Sequence, residues 1–256
     1  MELFEGMMAD EHPVTWDDIE KISGQDEINE TSEETEGLDV EEAIESEIRT
    51  DVPDVEEAIV YGDPEQTGAD LDWIQGDAVD YVLGTCGLTS AANISQMAGL
   101  DITEEMTVEY AMENELCTYE AGSPENTGGM GTESMETLLE EFCGLEVHTE
   151  TWETYDLEDI AQDVISGRGV IVGLSAGVIW DEPSMVQTRF GETVADHYVT
   201  VTGVAVDAET GEVAGLYVCD SGNRTSCEYI SAETFDEAFE ECLTADVVIT
   251  DDPIRS

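Results

Sequence analysis

Gly84-Thr85-Cys86-Gly87-Leu88-Thr89-Ser90-Ala91-Ala92-Asn93-Ile94 is the stretch on which the reading of this chain turns. Its apolar positions continue through Met97 to Gly99, a residue suited to stopping a helix, so it predicts a helix that begins at Cys86. A thiol at a helix N-terminus sits at the positive end of the backbone dipole, which favours its thiolate. Gly87 would let a substrate carbonyl approach the backbone, where the Cys86 N–H can help hold a developing oxyanion. A buried structural cysteine at a helix start would look the same, and the rest of the chain decides between the two.

Downstream, Thr103 opens a second predicted helix, and Gly122 to Gly131 reads as a loop. Ser134 to Phe142 carries Met135, Leu138, Leu139 and Phe142 on one helical face, and Leu157 to Ile165 reads as a fourth helix. The pattern then changes. Gly169 to Leu174 is a continuous apolar run, as in a buried strand, and His197 to Val204 is a second strand. Further strands are predicted at Glu212 to Asp220, Cys227 to Ile230 and Ala245 to Thr250, with a short helix at Thr234 to Glu241. Helices first, then a run of antiparallel strands, is an α+β layout.

Three histidines stand in the chain: His12, His148 and His197. His12 lies in an acidic segment, and His148, between Val147 and Thr149, reads as a surface residue. His197 opens a β-branched strand, which is how a rigid element holds a general base against a nucleophile. Asp220 ends the strand Leu216-Tyr217-Val218-Cys219 and precedes Ser221-Gly222-Asn223. A hairpin would bring it beside His197, where a carboxylate orients the imidazole and stabilises its cation. Asp-Ser-Gly-Asn is also good turn chemistry, which alone would account for an aspartate there. Gln75, in Asp72-Trp73-Ile74-Gln75-Gly76-Asp77, offers a side-chain amide as a second oxyanion donor.

The order of Gln75, Cys86-Gly87 at a helix start, His197 at a strand start and Asp220 after a strand resembles the papain-like cysteine peptidases. The likeness is greatest to the bacteriocin-processing, double-glycine-leader peptidase group, and it spans about Trp73 to Val248. It implies N-terminal helices packed on an antiparallel sheet and peptide hydrolysis through a Cys86-His197-Asp220 triad. It implies a peptide or protein substrate and no cofactor, and no metal is expected. Two departures stand out. Gln75 precedes Cys86 by eleven residues, a wider gap than the family usually keeps. Asp196 directly precedes His197, where a small residue is common; its carboxylate would raise the imidazole's basicity or face water. Leader removal during export is not implied, since no transporter segment accompanies the motifs. The same machinery also supports deamidation, transglutamination or toxin-type amide transfer, and the same fold serves as a non-catalytic binding module.

The charge is extreme: 64 Asp plus Glu against 6 Lys plus Arg, a formal net charge of −58, with Lys21 the one lysine. Such a surface repels nucleic acid and anionic membranes, both of which need Lys and Arg against phosphate. No apolar run reaches the roughly 18 residues of a spanning helix, so no membrane insertion is expected. Met1 to Gly6 lacks a basic n-region and a long apolar run, so the expected address is the cytoplasm, or export without a readable signal. Cys86, Cys117, Cys143, Cys219, Cys227 and Cys242 contain no CxxC pair, which argues against a zinc knuckle. A reduced interior is the simplest expectation, with a Cys219–Cys227 bridge the alternative.

Residues 1–70 hold 25 acidic and 2 basic residues and read as an acidic, largely disordered leader or linker before a domain at 71–256. Short helices around Trp16–Ile22 and Val40–Ile48 are its only predicted elements, and docking over the cleft is its alternative role. Adaptation to high salt and mere high solubility would each account for the charge. Raising KCl shortens the Debye length from about 10 Å at 0.1 M to about 3 Å at 1 M. Salt adaptation predicts a melting temperature that climbs over that range; a flat or falling curve marks a simply acidic protein.

Overall fold

The structure, a computed structural model, describes residues 44–65, 71–72, 74–182, 187, 193–239 and 242–255. The chain separates into two units, Met1–Glu42 and Ala43–Ser256. The first unit lies outside the described residues, and with it the helix expected at Trp16–Ile22 and the disorder expected at Gly24 to Gly37. Every strand and helix of the described residues belongs to the second unit.

The strands are β1 (Ser46–Arg49), β2 (Ala58–Gly62), β3 (Val147–Thr151), β4 (Val170–Leu174), β5 (His197–Asp207), β6 (Val213–Asp220), β7 (Thr225–Ser231) and β8 (Asp246–Thr250). The helices are α1 (Cys86–Met97), α2 (Glu104–Glu113), α3 (Thr132–Leu138), α4 (Leu157–Ile165), α5 (Ala176–Ile179) and α6 (Ala232–Phe239). A π-helical turn, Leu139–Cys143, prolongs α3 and ends at Gly144, whose φ of 72° is left-handed. The α+β expectation holds: all eight strands form one antiparallel sheet, and helices pack against it.

β5 organises the sheet. Its first half, 197–201, pairs with β4, and its second half, 203–207, pairs with β2. β6 pairs with it along the opposite edge. Beyond β4 the sheet continues through β8 to β3, and beyond β6 to β7. The change of partner falls at Gly203, where a Cβ would come within 2.8 Å of the Tyr61 carbonyl oxygen. Glycine therefore permits the two partner strands to meet end to end on β5.

The expected boundary near residue 70 is corrected by β1 and β2. Ala58 and Val60 are fully buried and pack with Val52, Ala205 and Tyr217, so β1 and β2 are part of the same sheet and residues 44–62 of the same unit. Residues 46–48, expected as the end of the Val40–Ile48 helix, lie in the strand β1. Four consecutive apolar residues, Ala58-Ile59-Val60-Tyr61, are masked by the acidic composition on either side. Burial between β5 and its neighbours outweighs that composition.

α1 is buried along almost its whole length, from Gly87 to Ser95, which is why its residues are small and its amphipathic signal weak. Leu88, Ala91 and Ile94 join a core with Val108 of α2, Met135 and Leu138 of α3, Ile171 of β4 and Val248 of β8. Gly87 serves this packing: a Cβ there would come within 2.9 Å of both Met130 and Met135 side chains. That close contact, not substrate approach, is what the structure asks of Gly87. The six cysteines are all free thiols, so the Cys219–Cys227 bridge does not form. Among the described residues, no helix is long and apolar enough to cross a membrane.

Candidate active site

Cys86 is the first residue of α1. Its helix start, Thr85, makes no side-chain cap, so the first-turn N–H groups are not covered by that hydroxyl. The Thr85 hydroxyl instead bonds the Glu104 carboxylate and accepts from the Gly76 N–H at 2.9 Å. The Cys86 thiol hydrogen-bonds the His197 ring, and the backbone N–H groups of Tyr198 and Gly87 also point at its sulfur. Burial pushes this thiol up, yet the His197 bond and charge outweigh burial and hold it below its ordinary value.

His197 starts β5 and is 4% exposed. Its Nε2 lies 2.7 Å from Asp220 Oδ1, which leaves Nδ1 to face the thiol. Burial would lower the imidazole's pKa; the bonds to Asp220 and Cys86 reverse this and raise it to about 10.

Asp220 ends β6, on the strand antiparallel to β5, as the expected hairpin requires. It is fully buried. Oδ1 accepts from His197, from the Gly222 N–H at 2.8 Å and from the Asn223 N–H at 3.3 Å. Oδ2 accepts from the Trp180 indole at 2.7 Å. The turn reading and the orienting reading of this aspartate are therefore compatible, since one oxygen bonds both the turn and the imidazole. Burial raises its pKa, but the bond and charge of His197, with Trp180 and Gly222, win and leave it below the usual carboxylate range.

Two residues in this cluster carry no signal in the sequence. The Trp180 ring sits 5.3 Å from that of His197, tilted by 56°. Gly222 lies against both: a Cβ would fall 2.8 Å from Trp180 and 2.9 Å from His197 Cε1. Trp180 follows a strand by one short helix, α5, too brief for a periodic signal. Gly222 has the look of an ordinary turn glycine.

Gln75 lines the same cleft as Cys86 and His197, a space of about 520 Å³ also bordered by Glu125, Thr132, Tyr198 and Asp246. Its Nε2 donates to the Leu83 carbonyl at 3.2 Å, and its Oε1 accepts from the Ser221 hydroxyl at 3.2 Å. The wide spacing to Cys86 thus does not keep it out of the site. Asp196 neither bonds the imidazole nor simply faces water. Its Oδ1 accepts from the Ala176 N–H at 2.9 Å and so holds the start of α5. His148 is apart from the cleft, on β3, with Nδ1 2.6 Å from Asp251. His12 lies outside the described residues.

Residues 70–246 match the Peptidase_C39 like family. The chain belongs to that family. Uncharacterized proteins of Mycobacterium tuberculosis and Mycobacterium bovis are each 31% identical over 196 residues, covering 70% of this chain and 80% of theirs. A solved Bacillus anthracis protein, described as a candidate C39-like peptidase, is 16% identical with a TM-score of 0.48. That alignment covers 80% of this chain and 97% of the Bacillus protein. The C39-like match places the chain in the papain-like cysteine peptidase superfamily that its motif order resembles.

The paired shifts have a signature. A lowered thiol beside an imidazole raised to about 10 favours a thiolate–imidazolium pair over two neutral groups. The pair is lost in acid as pH falls through the Cys86 value, and in base as His197 deprotonates. Cys86 alkylation by iodoacetamide should fall less steeply between about pH 8 and about pH 6 than that of an ordinary thiol, which slows roughly 100-fold. Site-resolved mass spectrometry separates Cys86 from the other thiols. A slope at Cys86 as steep as that of Cys117 or Cys227 would contradict the pair.

Proposed function

We propose that the chain is a cysteine peptidase with Cys86 as nucleophile, His197 as acid and base, and Asp220 as the group that orients His197. The observation that carries this reading is the continuous chain of bonds from Cys86 through His197 to Asp220 along one cleft. The Cys86 thiolate attacks a peptide carbonyl, forming the S–C bond and an oxyanion. The Cys86 backbone N–H and the Gln75 amide receive that charge in this reading. The intermediate collapses, the C–N bond breaks, and the Nδ1 proton of His197 passes to the leaving amine. Neutral His197 then takes a proton from water. The hydroxide attacks the thioester, the S–C bond breaks, the carboxylate product leaves, and the ion pair is restored.

The substrate is a peptide or protein. The cleft is bordered by Glu125, Asp196 and Asp246 and, among the described residues, by no Lys or Arg. Lysine or arginine near the scissile bond suits that lining better than aspartate or glutamate.

The test is mass spectrometry of a peptide library after incubation, in low and in molar salt. Hydrolysis at internal bonds is expected, with basic residues enriched around them. A one-dalton gain on Gln or Asn, or a cross-link, would assign the triad to deamidation or transglutamination. Cys86→Ala and His197→Ala should each lose on the order of 10⁴-fold or more in kcat. Asp220→Asn should lose roughly 100-fold less than these. Gln75→Ala should lose roughly 100- to 1000-fold if its amide serves the oxyanion. Asparagine is the informative change at Asp220, because alanine would strand Trp180 Nε1 and two backbone N–H groups in the interior. Full activity in Cys86→Ala would refute the mechanism.

A further inference from the structure

Upstream of Cys86, three carboxyl groups converge that the proposed chemistry does not use. Asp72, Asp77 and Glu104 each offer one oxygen, and the three oxygens lie within 4.8 Å of one another. Glu104, the first residue of α2, is 1% exposed. Its Oε1 accepts from the Gly76 N–H at 3.0 Å, the Thr89 hydroxyl at 3.1 Å and the Thr85 hydroxyl. Its Oε2 is buried and receives no donor from the described residues. The Asp72 carboxyl stands in contact with the Glu104 carboxyl, and Asp77 adds a like charge beside Asp72. Burial raises both Asp72 and Glu104 above the usual carboxylate range.

An ionised carboxylate oxygen this deeply buried is strongly disfavoured unless something positive reaches it. Two remedies exist here: a proton shared between Asp72 and Glu104, or a cation bound by all three groups. A shared proton accounts for two carboxyls and leaves the approach of Asp77 without purpose. A cation accounts for all three. The donor set is oxygen alone, which selects a hard ion. Oxygens about 2.3–2.6 Å from a calcium ion lie up to roughly 5 Å apart across its shell, wide enough for the spacing seen.

We propose that Asp72, Asp77 and Glu104 form a binding site for a hard divalent cation of the calcium type. This departs from the expectation of no metal, which rested on the absence of Cys and His spacing and so did not bear on oxygen ligands. The site lies where a cation would matter. Glu104 bonds Gly76, Thr85 and Thr89, and so joins the segment before the nucleophile to the first turn of α1. Gln75 lies between two of the ligands in sequence. Asn93 adds a clamp, accepting from the Asp72 N–H at 3.1 Å and donating to its carbonyl at 3.0 Å. A bound cation would hold Gln75 and the Cys86 turn in one register.

The experiment is isothermal titration of chelator-treated full-length protein with calcium chloride, in molar KCl to screen the acidic surface, with melting temperatures read alongside. The wild type should show one saturable site and a rise in melting temperature. Asp77→Asn removes an exposed ligand without disturbing buried packing, and should weaken binding at least about tenfold. Asp80→Asn makes the same charge change at an exposed position outside the cluster and should bind as the wild type does. Absence of a saturable site in the wild type would overturn the proposal in favour of a shared proton. Equal binding by wild type, Asp77→Asn and Asp80→Asn would overturn it in favour of diffuse surface association. Neither reading uses turnover, so the result stands apart from the peptidase proposal.

Discussion

A buried carboxylate governs this molecule. Asp220 keeps its charge at full burial because four donors converge on it: His197 Nε2, Trp180 Nε1 and the N–H groups of Gly222 and Asn223. Those donors come from the start of β5, the end of α5 and the turn after β6, three separate elements between residues 180 and 223. Satisfying one anion therefore aligns the end of the sheet with the N-terminus of α1. The imidazole that Asp220 bonds in turn bonds the Cys86 thiol and lowers its pKa.

The contest between local and global charge is decided by distance. A net charge of −58 opposes any further anion, including a thiolate. Surface charges beyond about 10 Å are largely screened at 0.1 M salt. An opposite charge at about 4 Å in a partly desolvated site contributes on the order of 4 kcal/mol. His197 beside Cys86 therefore outweighs the acidic surface, aided by the N–H groups of Tyr198 and Gly87. Three of the five arginines serve the scaffold. Arg168 pairs with Asp163 at 2.8 Å, and Arg49 pairs with Glu65. Arg255 donates to the backbone carbonyls of Thr202 and Arg168, and desolvation of its guanidinium lowers its pKa to about 10.

How much of the structure is legible in the sequence depends on how local its cause is. α4 is legible to the residue, because Asp156 and Asp159 form a capping box and the apolar face has a helical period. Cys86, His197 and Asp220 are legible because each marks the end of a periodic element. β1 and β2 are not, since four apolar residues in an acidic stretch gain their structure only from burial against β5. β3 is hidden for a related reason: Val147-His148-Thr149-Glu150-Thr151 alternates weakly and owes its extension to β8. Trp180 and Gly222 are hidden because their role depends on a three-dimensional contact with an imidazole, which leaves no periodic trace. The substrate-approach role expected of Gly87 is plausible chemistry, but packing against Met130 and Met135 claims the residue first.

The central claim is that His197, held by Asp220, keeps Cys86 ionised at neutral pH. The direct measurement is the ultraviolet thiolate absorbance of the wild type minus that of Cys86→Ala, followed across pH, and the same difference in a His197→Ala background. The account predicts a thiolate band at neutral pH that fades only in acid and that is absent at neutral pH once His197 is replaced. A band that rises only near the ordinary thiol range, and does so equally with and without His197, would contradict it.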